Sequence, residues 1–174
     1  WLVVCIVASA PLPSHAQGNG SGLGAATAAA QQSDSNAAKA LLADQRPETQ
    51  AVHQIEVTTN SFTAGGPIPP KYSSYGESVS PSVTWSKMPQ AKSYVVIMED
   101  PEGHGSEPVV HWIVWGIPPT TSGLPEGLAK QGQLTEPPGA LQGKTTHGSV
   151  GYYGPHPPAG DSPHHYHIEV FALD

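Results

Sequence analysis

Proline and glycine recur so often between Val52 and Asp174 that no long helix has room there. Fifteen glycines and sixteen prolines fall among these 123 residues. Proline removes a backbone donor and glycine adds conformational freedom, so both break helix interiors. A helix bundle or coiled coil is excluded. The runs between them are short and rich in β-branched and aromatic residues. Residues 54–59, 83–85, 93–99, 109–117 and 165–173 read as strands bounded by turn residues. Residues 93–99 (SYVVIME) and 109–117 (VVHWIVWGI) are apolar at consecutive positions, the pattern of strands covered on both faces. No helical period and no internal repeat stands out. The predicted class is mainly β, an antiparallel β-sandwich with long Pro/Gly-rich loops, spanning residues 52–174.

The first 51 residues are built differently. Residues 17–51 hold no aromatic residue and are mostly Gly, Ala, Ser, Gln and Asn. Such a segment buries too little apolar surface to offset its ordering entropy, and a disordered Ala/Ser/Gln-rich linker is expected. Within it, residues 36–44 (NAAKALLAD) suit a short helix that is marginal alone. Residues 1–16 begin with an apolar run, Trp1–Ala10, followed by Pro11 and Pro13. Ser14 and Ala16 then stand at −3 and −1 of a cut before Gln17. That is a secretory signal pattern, truncated because initiator Met and basic region are lacking, and it predicts a periplasmic or secreted chain. The run is about half the ~20 apolar residues of a membrane anchor. Lipid attachment at Cys5 is disfavoured by Val4, where a small residue is wanted. Cys5 is the only cysteine, so a cleaved chain has neither disulfide nor thiolate metal site.

The formal charge of −7 excludes a basic nucleic-acid binder. Nine histidines stand against one arginine, Arg46, and seven of the nine lie between His104 and His167. Three chemistries compete. A metal-dependent enzyme would use His165 and His167, on one strand face, with His147 or His156 as third ligand, while His164 points away. A Ser-His-Asp hydrolase has no nucleophile-elbow motif to support it. An anion pocket would combine imidazole, phenol and backbone N–H groups from locatable motifs: Asp100-Pro101-Glu102, His111-Trp112, Gly151-Tyr152-Tyr153-Gly154-Pro155-His156-Pro157-Pro158 and Pro163-His164-His165-Tyr166.

With Ile68-Pro69-Pro70-Lys71-Tyr72, Ser80-Pro81-Ser82-Val83-Thr84-Trp85, Ile117-Pro118, Leu124-Pro125-Glu126-Gly127 and the closing Phe171-Ala172-Leu173-Asp174, these motifs resemble the phosphatidylethanolamine-binding protein family in its bacterial Raf-kinase-inhibitor-like branch. Each motif is weak alone; their order and spacing over residues 62–174 are specific. The resemblance implies a β-sandwich with a small anion cavity and no generally assigned reaction. It implies ligand-binding roles for Asp100, Glu102, His111, His164 and Tyr166 beside the loop starting at Gly154, with no catalytic residue, metal or cofactor. It also implies a phosphate-like anion or phospholipid head group as ligand, and inhibition or signalling through a protein target such as a protease or kinase. The chain departs from the pattern at His104, His156, His165 and Thr145, where Pro, Cys, Arg and Asn are usual. It stops at Asp174, where the family fold continues, so the C-terminal part of the family fold is expected to be missing. A module that binds a protein partner through its loops is the remaining alternative.

Residues 52–174 contain no arginine, and five lysines face eleven acids. Tight phosphate sites use the guanidinium fork. Affinity here must therefore come from short-range donors. His164 and Tyr166 are two apart on a strand and face one way. A carboxylate such as Asp100 fits beside an anion when an imidazole stands between them. The plain alternatives are a core His111 bonded to a carbonyl and a turn at Asp100-Pro101.

Overall fold

The computed structural model describes Val3–Ala10, residues 41–49 and residues 55–174. Among them eight strands form: β1 (Val3–Ala10), β2 (Val57–Thr58), β3 (Val83–Trp85), β4 (Ser93–Asp100), β5 (Val109–Ile117), β6 (Gly123–Leu124), β7 (Leu141–Gln142) and β8 (His164–Leu173). β3 and β5 keep their predicted bounds, and β4 and β8 each gain one residue. All pairings are antiparallel. One sheet has the order β1-β8-β4-β5-β7 and the other β2-β3-β6. The mainly β, antiparallel class expected from the Pro/Gly punctuation is the one observed.

The core lies between the two sheets. Tyr94, Val96 and Met98 alternate along β4, and Ile168 and Val170 along β8. They meet Val57, Val83, Trp85 and Leu124 of the smaller sheet, with the Trp85 and Tyr94 rings 5.4 Å apart. Each such side chain contributes roughly 1.5–3 kcal/mol by leaving water.

One irregularity positions the site. Met98 pairs with Trp112, but Glu99 pairs with Val110, so His111 has no partner across β4. This is a β-bulge, in which two residues oppose one and the strand turns locally. The bulge lets both His111 and Trp112 face inward, and both are buried. Strict alternation would have sent one of them outward. On the other face of β5, Trp115 is 37 % exposed, so β5 is not covered on both faces as its composition suggested.

Two N-terminal stretches have defined backbone. Val3–Ala10, within the run expected as a signal peptide, pairs along its whole length with β8, from Val3↔Phe171 to Ala10↔His164. A β-branched apolar run suits an edge strand as well as an export signal. Within the stretch expected as a disordered linker, residues 41–49 form two 3-10 turns, Ala43–Gln45 and Pro47–Thr49. Leu42 is buried there and the Ala43 N–H donates to Glu99 Oε2 at 2.8 Å. The described end of the helix expected over 36–44 is one of these 3-10 turns. The rest of residues 1–51 lies outside the described residues.

Candidate functional site

Asp100 ends β4, where Pro101 cannot continue the ladder. Its Oδ1 accepts the Glu102 N–H at 2.8 Å, closing a turn. Its Oδ2 accepts a hydrogen bond from His164 Nδ1, also at 2.8 Å, with the two side chains only 5 % and 6 % exposed. A buried carboxylate is tolerated when an N–H partner satisfies it in this way. His164 opens β8, and its other nitrogen, Nε2, lies 3.5 Å from Asp161 Oδ2.

Two residues along β8, Tyr166 shares the face of His164, and their rings are 6.5 Å apart. Its ring also meets the His111 ring edge-on at 5.2 Å. Burial, reinforced by the nearby Asp100 charge, pushes the Tyr166 hydroxyl above its ordinary range. The hydroxyl stays neutral, beside Asp100 and the His156 backbone, without a hydrogen bond of normal geometry.

His111, turned inward by the bulge, donates from Nδ1 to the Tyr153 carbonyl at 2.9 Å. Burial holds its pKa below the usual imidazole value, only partly offset by that carbonyl and by Asp100. The carbonyl contact is the one a core histidine would make, yet the ring also borders a cavity.

That cavity, of about 190 Å³, is lined by Asp100 and five histidines, His104, His111, His147, His156 and His164. Its histidine wall is backed by aromatic rings. The His147 and Tyr153 rings stand 4.3 Å apart, and Tyr153 stacks on His156 at 6.1 Å and 10°. The Tyr153 hydroxyl and His156 Nδ1 share a 2.7 Å hydrogen bond, and Tyr75 packs on His156 at 4.7 Å.

Gly154 holds this wall in place rather than lining the cavity. A Cβ there would lie 2.5 Å from the Tyr72 carbonyl oxygen and the Ser73 carbonyl carbon. Its N–H donates to Ser78 Oγ at 2.9 Å, and the Pro155 carbonyl accepts from Ser74 N–H at 3.0 Å.

Of the six residues singled out from sequence, Asp100, His111 and His164 line the cavity, and Tyr166 packs against both histidines. Glu102 turns away. Its carboxylate accepts the His165 N–H at 3.0 Å and faces His165 Nδ1 at 3.3 Å. Sequence reasoning does not reach His104 as a lining residue, names His147 as a metal ligand but not for the pocket, and reaches His156 both as a metal ligand and as part of the pocket loop. His104 stands where the family's proline was lost, a departure visible in the sequence. His147 sits on a loop, and no periodicity places it.

The metal alternative needs His165 and His167 beside a loop histidine. Strand alternation puts both on the face opposite His164 and Tyr166, whereas His147 and His156 lie on the cavity side. Among the described residues, no three His, Cys, Asp or Glu side chains stand together as a metal site.

Known proteins resemble this chain in sequence and fold. The model of the family described as "Phosphatidylethanolamine-binding protein" matches residues 58–174. UPF0098 protein PH1269 of Pyrococcus horikoshii is 42 % identical over 108 residues, covering 62 % of this chain and 54 % of that protein. The chain thus spans about half the length of that relative. LppC of Mycobacterium tuberculosis, whose name carries a provisional lipoprotein assignment, is 33 % identical over 135 residues, 78 % of this chain and 63 % of that protein. The crystal structure of Escherichia coli YbcL, described as a new member of the mammalian PEBP family, superposes with a TM-score of 0.63 at 35 % identity. It covers 68 % of this chain and 76 % of that one. With its motifs, its antiparallel sheets and these matches in agreement, the chain belongs to the phosphatidylethanolamine-binding protein family.

Proposed function

We propose that the chain is an exported, non-catalytic binding protein whose cavity takes a small phosphate-like anion or a phospholipid head group. The observation that carries this is the anchoring of two imidazoles by their Nδ1 atoms. Asp100 holds His164 and the Tyr153 carbonyl holds His111, which leaves Nε2 of each ring as the other hydrogen-bonding edge beside one cavity. No nucleophile is held by either ring, which favours binding over acyl or phosphoryl transfer. His156, backed by the Tyr75 and Tyr153 rings, offers an aromatic face to the organic part of a head group. The exposed loops around the mouth are the surface through which a protease or kinase target would be met. Export rests on the signal pattern and on the lipoprotein name of one relative. Among the described residues no helix is long and apolar enough to cross a membrane.

Affinity is expected to be modest, because no arginine serves the site and the net charge opposes an anion. It is expected to rise as pH falls. Burial keeps His111 neutral until the pH drops below the ordinary imidazole range, and a charged ring attracts the anion. Calorimetric titration with phosphoethanolamine should show a severalfold gain as pH falls from about 6.5 to about 4.5, below the ordinary imidazole value, and H164A should abolish binding. Binding unchanged in H164A would overturn the proposal.

A further inference from the structure

The turn that leads into β8 carries an acid at the cavity mouth. Asp161 N–H donates to the Pro158 carbonyl at 3.2 Å, and Gly160 takes φ +100°, which tightens the chain there. The Asp161 side chain then reaches two of the cavity's histidines. Its Oδ2 accepts from His104 Nε2 at 2.8 Å and stands 3.5 Å from His164 Nε2. One carboxylate oxygen so bridges two of the five cavity histidines.

His164 has two nitrogens, and Nδ1 is committed to Asp100. Nε2 is its remaining edge, an acceptor in the neutral ring and a donor once the ring is protonated, and Asp161 lies against it. An incoming anion needs the same edge, and two negative groups cannot share one donor at close range without repulsion. His111, His147 and His156 face the same space, Asp100 lines it too but with its Oδ2 committed to His164 Nδ1, and Glu102 is engaged with His165. Asp161 is therefore the acid at the free edge of His164.

We infer that Asp161 is a built-in competitor for the anion, a tethered carboxylate that the ligand must displace from His164 and His104. The inference rests on the anion-cavity reading above. Displacement is within easy reach. Asp161 is 30 % and His104 71 % exposed, and exposed ion pairs are worth little. The turn is itself exposed at Pro158, Ala159, Gly160, Ser162 and Pro163. A rotation of the Asp161 side chain is enough to clear the donor. The buried Asp100–His164 pair, by contrast, stays.

The test is titration of the full chain with inorganic phosphate, followed by calorimetry and by the His164 ring signals in NMR. D161N and D161S remove the charge at an exposed turn, and two variants guard against a folding artefact. Both are expected to bind phosphate about threefold to tenfold more tightly than the parent chain, the range that loss of one partly exposed charge contact gives. The His164 signals should move further on saturation. Phosphate binding that depends on His164 but is unchanged or weaker in both variants overturns the inference and leaves the cavity reading standing. Absence of phosphate binding in the parent and in both variants overturns both together.

Discussion

Glu99 and Asp100 are neighbours on β4, and the pleat sends them to opposite faces of the same sheet. On the cavity side Asp100 finds His164 and a backbone N–H. On the far side Glu99 finds the Ala43 N–H but shares its surroundings with Glu169 and Asp44. Glu169 is fully buried beside Asp44, and neither of its oxygens makes a hydrogen bond of normal geometry. Burial, with Asp44 and Glu99 adding to it, pushes its pKa up to about 9, and burial also raises that of Glu99. Two carboxylates at equal depth thus have opposite value. One is fixed by a base and can serve a site, while the other is held neutral at an energetic cost.

Removing each acid should change stability in opposite directions. D100A leaves His164 buried without its partner and is expected to cost about 3 kcal/mol in urea unfolding, with loss of anion binding. E169Q is expected to stabilise by roughly 2–3 kcal/mol at pH 8. The sign follows from proton uptake. The folded pKa of Glu169 is above its unfolded value, so its contribution is fully present below about pH 4.5 and is lost as pH rises toward 9. Thermal melts of the parent should decline across that window more steeply than those of E169Q, which keeps only the contribution of Glu99. If both variants destabilise equally at pH 8, the contrast between the two faces is wrong. The smallest effect belongs to E102Q. Its contacts with His165 are exposed, so stability should shift by less than about 0.5 kcal/mol, and phosphate affinity should stay as it was. A large loss of affinity would put Glu102 back in the site.

How far the sequence reached can be judged on particular elements. β3, β4, β5 and β8 were legible because apolar residues fill them and turn residues end them. β6 and β7 are two residues each and carry no period to read. An imidazole partner for Asp100 is legible as chemistry, since an acid beside an anion site calls for one between, but that it is His164 is shown only by the folded chain. The bulge at His111 was not, because a register slip depends on the partner strand. Glu102 was assigned by its motif, yet its side chain follows the turn at Pro101 toward His165. Asp161 reads as an ordinary turn residue, and only the folded chain brings it to His104.

The packing of Gly154 has a thermodynamic consequence for whatever enters the cavity. With no room for even a methyl group between its α-carbon and the Tyr72–Ser73 backbone, the 152–157 loop and the 70–78 turn are joined into one unit. The ordering entropy of the aromatic wall is surrendered at folding, not when a ligand arrives. A weakly charged pocket with no arginine gains most from such preorganisation, because little of its interaction energy is then lost to closing a loop.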